Sequence, residues 1–140
     1  MPSANNLQVL VVDDQQSMRQ LTKYSLEQIG IRQVVEARSG EDALKAIGSS
    51  KFDLVISDWN MDGMDGLALL KHIRSDPLAK KTPFIMATGQ NSKEQVMEAV
   101  NAGVNNYIVK PLSADNLKKK IEAVIGQGRR RYQRWRPQRR

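Results

Sequence analysis

Leu-Gln-Val-Leu-Val-Val-Asp-Asp, at residues 7–14, is the stretch that decides the fold, because an apolar run ends there in two adjacent carboxylates. Residues 9–12 are apolar without alternation, which is typical of a parallel strand with helices on both faces. Ligands of an open parallel sheet bind in the crevice beyond the carboxyl ends of its strands. The stretch therefore predicts a buried strand followed by two candidate site residues, Asp13 and Asp14.

The same arrangement, a strand-like run followed by a helix-like segment, occurs five times along the chain. Gly30 is expected to close the first helix, because glycine tolerates a left-handed conformation. Five such units predict an α/β fold with a doubly wound parallel sheet. The predicted strands are 7–12, 33–37, 52–57, 83–88 and 106–109, and the predicted helices are 15–28, 40–47, one through Leu67 and Ile73, one that Ser92 caps, and 114–125.

Length and composition fit one soluble domain. The chain has 140 residues, of which 40% are hydrophobic and 26% charged, enough for a single core. No apolar stretch approaches the ~20 residues that span a bilayer, and residues 1–6 lack the features of a secretory signal. The absence of cysteine excludes disulfides, thiolate metal sites and cysteine nucleophiles. We therefore expect a cytoplasmic protein.

The net charge of +7 is concentrated at the C-terminal end. Residues 129–140 contain seven arginines and no acid, and subtracting seven from 22 basic residues leaves 15 against 15 acidic ones. We expect a flexible start at 1–6, a domain at 7–126 and a disordered basic tail at 127–140. The sequence leaves open whether such a tail binds nucleic acid or anionic lipid, docks an acidic partner, or only aids solubility.

Four polar elements follow predicted strands at or within two positions of their carboxyl ends. They are Asp13-Asp14, Asp58, Thr88 and Lys110, after the first, third, fourth and fifth strands. Alone, each has an ordinary explanation as a helix cap, a turn residue or a solvated lysine. Because the carboxyl ends of parallel strands share one edge, we expect three carboxylates, a hydroxyl and an ammonium to converge.

This set of groups points to phosphoryl chemistry. Asp58 is the candidate nucleophile, since a carboxylate can attack phosphorus and form an acyl phosphate. Asp13 and Asp14 would repel it by ~4 kcal/mol per charge pair at about 4 Å and an effective dielectric of about 20, so the site needs a divalent cation. Oxygen ligands favour Mg²⁺ or Mn²⁺ over zinc. Lys110 and Thr88 would stabilise the charge on the transferring group.

The motifs around these residues resemble the receiver domains of the two-component response-regulator family, and within it the single-domain, CheY-like chemotaxis members. The similarity runs from about residue 7 to 126. It implies a flavodoxin-like (βα)5 sheet with strand order 2-1-3-4-5, for which CheY is a standard example. The matching motifs are Val-Asp-Asp at 12–14, Ile-Ser-Asp-Trp-Asn-Met at 56–61, Met-Asp-Gly-Leu at 64–67, Thr88, and Tyr107 through Pro111.

The resemblance implies a role for each residue that handles the phosphoryl group. Asp58 would be the phosphoacceptor, taking the group from a CheA-like histidine kinase, with Thr88 and Lys110 acting on it. Thr88 and Tyr107 would form the conformational switch. The peptide bond between Lys110 and Pro111 would be cis, which is rare outside proline and uncommon even there.

The resemblance also implies a metal site and a path for hydrolytic water. Asp14, Asp58 and the backbone carbonyl of Asn60 would bind Mg²⁺ directly, and Asp13 would act largely through water. Asn60 and Gln90 would flank the water path. Where CheY relatives often carry an acidic side chain, this chain has Gln90, so the lifetime of its phosphorylated state is expected to differ.

The function implied is that of a response regulator that takes part in its own phosphorylation and dephosphorylation and is not otherwise an enzyme. Its output partner would be a flagellar-motor switch or another signalling protein, bound through helix 4, strand 5 and helix 5. A phosphorelay intermediate or phosphate sink, and a nucleic-acid-binding module acting through the tail, remain alternatives. A haloacid-dehalogenase-type phosphatase is disfavoured, because its nucleophile lies on the first strand.

Overall fold

Strands and helices alternate along the chain, so that each strand is followed by a helix. The structure is a computed structural model that describes residues 6–89, 92–110 and 112–132, with the backbone alone described for 126–132. No helix in these ranges is both long enough and apolar enough to cross a membrane. The strands are β1 Gln8–Val12, β2 Gln33–Ala37, β3 Leu54–Asp58, β4 Phe84–Thr88 and β5 Asn106–Val109. The helices are α1 Gln16–Gln28, α2 Gly40–Ser49, α3 Gly66–Ser75, α4 Lys93–Ala102 and α5 Ala114–Tyr132.

The five strands form one parallel sheet in the order β2-β1-β3-β4-β5, which confirms the predicted strand order. In the two neighbouring pairs near the site, Asp58 lies opposite Ala87 and Thr88 lies opposite Val109. Because every pair is parallel, the carboxyl ends of all the strands share one edge. Asp58 and Thr88 therefore end adjacent strands at that edge.

Helices cover both faces of the sheet, and strand residues alternate between the two cores. On one face, Val9, Val11 and Ile56 join buried residues of α1 and α5. On the other face, Leu10 and Val55 join buried residues of α2, α3 and α4. Since both faces are covered, the side chains that point to either face must be apolar, which explains the continuous apolar runs in the sequence.

The predicted boundaries lie within two residues of the observed ones for the elements whose ends were predicted, except at the end of α5. The predicted end at Ile125 is wrong, because α5 continues to Tyr132 and includes the start of the basic segment. The rest of that segment, 133–140, lies outside the described residues. Gly30 follows α1 with a φ of 95°, as expected for a glycine that closes a helix.

Arg74 of α3 ties together the loops that precede β4 and β5. Gly103 closes α4 with a φ of 97°, so the chain turns there in the left-handed conformation that glycine tolerates. The guanidinium of Arg74 donates hydrogen bonds to the carbonyl oxygens of Gly103 (3.0 Å), Lys80 (3.0 Å) and Thr82 (2.7 Å) and to Asn105 Oδ1 (3.0 Å). The C-terminal end of α4 is thereby attached to α3.

Candidate functional site

Asp13, Asp14 and Asp58 form an acidic cluster at the carboxyl edge of the sheet. Asp13 directly follows β1 and Asp58 is the last residue of β3, so pairing of the strands brings them together. One carboxylate oxygen from each of the three residues lies within 4.8 Å of the others. Asp13 and Asp58 are buried, whereas Asp14 is exposed. The carboxylates converge as the sequence predicted.

Lys110 faces this cluster from the end of β5. Its Nζ lies 3.1 Å from Asp58 Oδ1 and 3.4 Å from Asp13 Oδ2. Its backbone N–H donates to the carbonyl oxygen of Thr88 at 2.8 Å, which extends the pairing of β4 with β5 by one residue. The ammonium group therefore contacts residues at the ends of two other strands.

Thr88 is buried at the end of β4, next to the strand that carries Asp58. Gly89 follows it, and a Cβ atom added to Gly89 would meet no atom of the described residues within 4 Å, its chain neighbours apart. The position after Thr88 is therefore open in the part of the chain that the structure describes.

Tyr107, the predicted switch residue, lies on β5 opposite Met86 of β4. It is half-buried, and it packs against the core that α2, α3 and α4 share with the sheet. The Lys120 ammonium lies 5.5 Å from the centroid of its ring, within the range of a cation–π contact. Tyr107 therefore belongs to the side of the domain formed by α4, β5 and α5.

Among the described residues, the charges in the cluster do not balance, because Lys110, which pairs with Asp13 and Asp58, is one ammonium beside three carboxylates. Burial raises the pKa of Asp58 above its ordinary value. The Lys110 ammonium opposes this rise without cancelling it, the Asp13 carboxylate adds to it, and a backbone hydrogen bond at Asn60 lowers the pKa slightly. The ionised form of Asp58 would therefore be stabilised by a further positive charge.

The cluster fits a hard divalent cation. It offers one oxygen from each of three carboxylates within a small space, and Mg²⁺ is bound in proteins by such oxygens together with water and phosphate oxygens. The excess of two negative charges over the Lys110 ammonium equals the charge of one such ion. Since Asp14 is exposed, the cluster is open to solvent on that side.

The simplest alternative explanation of the aspartate pair is that Asp13 or Asp14 caps α1, but the hydrogen bonds of the two residues do not fit this explanation. Gln15 is the N-cap residue of α1 and no side chain caps the helix there. Asp13 Oδ1 accepts from the backbone N–H of Gln15 at 3.0 Å, and Asp14 Oδ2 accepts from the backbone N–H of Asp62 at 3.2 Å. The two carboxylates therefore hold the loops around the site in place.

Two residues that support the site were missed by the sequence analysis. A Cβ atom on Gly66 would collide with the backbone carbonyl oxygen of Asp58 and would lie 2.9 Å from Trp59 Cα. Arg19 Nη1 donates to the carbonyl oxygen of Asp13 at 2.7 Å. The glycine of the Met-Asp-Gly-Leu motif is a visible signal, whereas no local pattern distinguishes Arg19 from other helix residues.

Gln90 and Pro111 lie outside the described residues. The water path past Gln90 and the cis peptide bond between Lys110 and Pro111 therefore remain predictions. Asn60, the other residue of the water path and the predicted carbonyl ligand, is exposed in the loop after β3.

The sequence and fold match proteins of a known family. The model of the response regulator receiver domain matches residues 9–122. Chemotaxis protein CheY-3 of Vibrio cholerae is 44% identical over 120 residues, which cover 86% of this chain and 92% of that protein. Chemotaxis protein CheY of Pseudomonas aeruginosa is 42% identical over 119 residues, covering 85% and 96%.

A solved structure of the Vibrio cholerae chemotaxis protein CheY4 superposes with a TM-score of 0.80. It is 35% identical in sequence, and the match covers 84% of this chain and 98% of that one. The fold, the acidic edge of the sheet and the sequence matches agree. This chain belongs to the response regulator receiver domain family.

Proposed function

We propose that this chain is a response regulator of the single-domain chemotaxis type, which accepts a phosphoryl group on Asp58 from a histidine kinase and signals by phosphorylation-dependent protein binding. The observation that carries the proposal is the 3.1 Å contact between Lys110 Nζ and Asp58 Oδ1 beside two further carboxylates. Identities of 44% and 42% to chemotaxis proteins support the assignment to that pathway.

Phosphoryl transfer at this site forms a P–O bond and breaks a P–N bond. An oxygen of Asp58 attacks the phosphorus of the kinase phosphohistidine, and the electron pair of the broken bond returns to the imidazole nitrogen. The Lys110 ammonium pairs with one phosphoryl oxygen and the Thr88 hydroxyl donates to another. Stabilising that charge is the main contribution of a protein to such a transfer. The proposed path of the water that later hydrolyses the aspartyl phosphate runs past Asn60 and Gln90, of which Gln90 lies outside the described residues.

The acidic cluster is the proposed metal site, with Mg²⁺ as the ion and Mn²⁺ as a substitute. Asp14 and Asp58 would be direct ligands, together with the backbone carbonyl of Asn60. Both oxygens of Asp13 already accept hydrogen bonds from Gln15 and Lys110, which supports a role for Asp13 through water. Bound Mg²⁺ would neutralise the charge between these carboxylates and the phosphoryl oxygens.

The signal would leave through the surface formed by α4, β5 and α5. A phosphoryl group adds about −1.5 to −2 charge and three acceptor oxygens, toward which Thr88 moves while Tyr107 follows. Met97, Val100 and Val109 are 54%, 56% and 37% exposed on α4 and β5, and such apolar groups suit a protein partner. That partner is a flagellar-motor switch or another signalling protein.

The alternative functions are not favoured. A phosphorelay intermediate or phosphate sink would use the same site, but the two relatives at 44% and 42% identity are chemotaxis proteins. A nucleic-acid-binding module would act through residues 127–140, which lie beyond the family match at 9–122.

The proposal is tested by incubating the protein with acetyl phosphate and Mg²⁺ and measuring its intact mass. The wild type should gain one phosphoryl group and Asp58→Asn should gain none. Asp53→Asn is the matched control, because Asp53 is an exposed aspartate at the opposite edge of the sheet. An unmodified wild type, or the same adduct on Asp58→Asn, would contradict the proposal.

A further inference from the structure

Arg19 of α1 connects the acidic cluster to the edge strand β2. Its Nη1 donates to the carbonyl oxygen of Asp13 at 2.7 Å, and its Nε donates to Glu36 Oε1 at 3.1 Å. The side chain of Arg19 is 13% exposed and that of Glu36 is 31% exposed. Because the guanidinium is planar and rigid, two bonds to different partners fix its orientation.

Each polar atom of Asp13 has a hydrogen-bond partner. Besides the bond from Arg19 to its carbonyl oxygen, its N–H donates to the carbonyl oxygen of Ala37 at 3.1 Å. Its Oδ1 accepts from Gln15 and its Oδ2 accepts from Lys110. Two of these four contacts reach β2, one directly through Ala37 and one through the Arg19–Glu36 pair.

We propose that Arg19, held by Glu36, is a positioning residue that sets the affinity of the acidic cluster for Mg²⁺. The inference rests on the metal site of the proposed function. The carbonyl group of Asp13 and the N–H of Asp14 belong to one peptide unit, so the bond from Arg19 fixes the peptide that joins the two carboxylates. Partners behind metal ligands typically change metal affinity by about 10–100-fold when they are removed.

Charge and positioning predict opposite results when Arg19 is removed. The guanidinium is a positive charge close to a cation site, so its Coulomb effect alone weakens Mg²⁺ binding, and Arg19→Gln would strengthen it. Loss of positioning instead weakens binding. Arg19→Lys separates the two effects further, because lysine keeps the charge but loses the planar fork that holds Asp13 and Glu36 together.

The test is a Mg²⁺ titration of the full chain, followed by fluorescence of Trp59, which adjoins Asp58. Trp135→Phe is included in every protein to remove the second tryptophan. We expect Arg19→Gln and Arg19→Lys to bind Mg²⁺ about tenfold more weakly, with a smaller loss for Glu36→Gln.

Lys23→Gln is the matched control for these variants. Lys23 lies on α1, as Arg19 does, and its Nζ is 3.9 Å from Glu36 Oε2. Within the described part of the chain, Lys23 forms no hydrogen bond or ion pair with Asp13. Its variant should bind Mg²⁺ as the parent protein does. Urea unfolding in EDTA measures the stability of each variant separately.

Unchanged or tighter Mg²⁺ binding by both Arg19 variants, with a normal parent protein, would overturn the inference and leave the proposed function standing. A parent protein that shows no Mg²⁺ response would overturn the proposed metal site itself. At saturating Mg²⁺, modification of Arg19→Gln by acetyl phosphate should recover to the parental rate. A rate that stays low there would overturn the inference that Arg19 acts through metal affinity.

Discussion

The two edges of the sheet use aspartate in different ways. At the amino-terminal edge, Asp53 accepts from the backbone N–H of Gln8 at 2.8 Å and Asp76 accepts from that of Leu78 at 2.9 Å. At the carboxyl edge, one carboxylate oxygen from each of three aspartates lies within 4.8 Å of the others, and Lys110 pairs with two of the three, Asp13 and Asp58. The first arrangement stabilises turns, whereas the second leaves negative charge that a cation and a phosphoryl group can use.

The amino-terminal edge of the sheet carries a groove. A groove of about 710 Å³ is lined by residues that precede strands, such as Leu7, Phe52 and Pro83. Leu78, which is 93% exposed, also lines it. A phosphoryl group needs little space but requires placed charges. Unbalanced charge therefore distinguishes the edge that holds the proposed site.

The largest difference between the two edges is expected when one lysine at each edge is replaced by alanine and the rate of phosphorylation is measured. Lys110→Ala deletes the cation that contacts Asp58, and modification by acetyl phosphate should slow by about 100-fold, as when one oxyanion donor is lost. Lys81→Ala deletes a lysine that lines the groove and should leave the rate unchanged. Intact-mass time courses measure both rates. Equal rates for the two variants would remove Lys110 from the mechanism.

A methyl group added to one glycine at each edge tests the packing behind the site. Gly66→Ala places a Cβ atom against the backbone of Asp58, and we expect a loss of about 1–3 kcal/mol in the free energy of unfolding. Gly48→Ala adds the same methyl group to α2, where nothing lies within 4 Å, and should stabilise the protein by about 0.5 kcal/mol. Urea denaturation measures both, and a neutral Gly66→Ala would show that the loop can yield.

The pH dependence of stability should also differ between the edges. Burial raises the pKa of Asp58, so between the unfolded and folded pKa values the folded state binds more protons and the free energy of unfolding falls as pH rises. Without Mg²⁺, Asp58→Asn should be more stable than wild type near neutral pH, and the gap should close toward pH 3.8, the ordinary value for aspartate. Asp53→Asn, which weakens a structural hydrogen bond, should destabilise. Urea denaturation in EDTA across this pH range checks both signs, and a gap that widens on acidification would contradict the assignment.

The smallest effect is expected at the exposed side of the groove. Leu78→Ser changes a side chain that is 93% exposed, so the free energy of unfolding should change by less than about 0.5 kcal/mol. Phosphorylation by acetyl phosphate should be unaffected. A large loss of phosphorylation would show that the groove influences the acidic cluster at the opposite edge of the sheet. A large loss of stability would show that Leu78 contributes more to folding than its exposure indicates.

The strands, and the convergence of the polar residues that follow them, could be predicted because both depend on a simple rule about apolar runs. Apolar runs without alternation identify strands covered on both faces, and the residue after each run lies at the shared edge. Asp13, Asp58 and Lys110 were found in this way although they are far apart in sequence. Their geometry follows from the parallel register, which needs no information about side-chain packing.

Helix faces were harder to predict, because packing partners decide them. The helical spacing of Met18, Leu21, Ser25 and Ile29 predicts that they share one side of α1. Leu21 is nevertheless 59% exposed, while Thr22, Ser25 and Leu26 are buried. The buried Thr22 hydroxyl donates to the carbonyl oxygen of Met18 at 3.0 Å, so a polar residue is accommodated inside. Arg19 acquires its role only from tertiary contacts with Asp13 and Glu36, which no local pattern reveals.

The end of α5 was missed for a different reason. Gly126 and Gly128 stand where the sequence predicts the boundary between the domain and the basic tail, but the helix continues to Tyr132. A glycine inside a helix costs about 1 kcal/mol relative to alanine and does not by itself end the helix. Helices α1 and α4 are each followed by a glycine in the left-handed conformation, Gly30 and Gly103, and the sequence alone does not show which glycine adopts it.

The two ends of α4 are held differently. At its N-terminal end, which follows Thr88 in the chain, the Ser92 side chain accepts a hydrogen bond from the N–H of Gln95. At its C-terminal end, the guanidinium of Arg74 donates a hydrogen bond to the carbonyl oxygen of Gly103. A displacement that starts at Thr88 would reach α4 at its N-terminal end, away from the hydrogen bond between Arg74 and Gly103. The C-terminal end of α4 would then act as a hinge, so that a small shift beside Asp58 would rotate the whole helix.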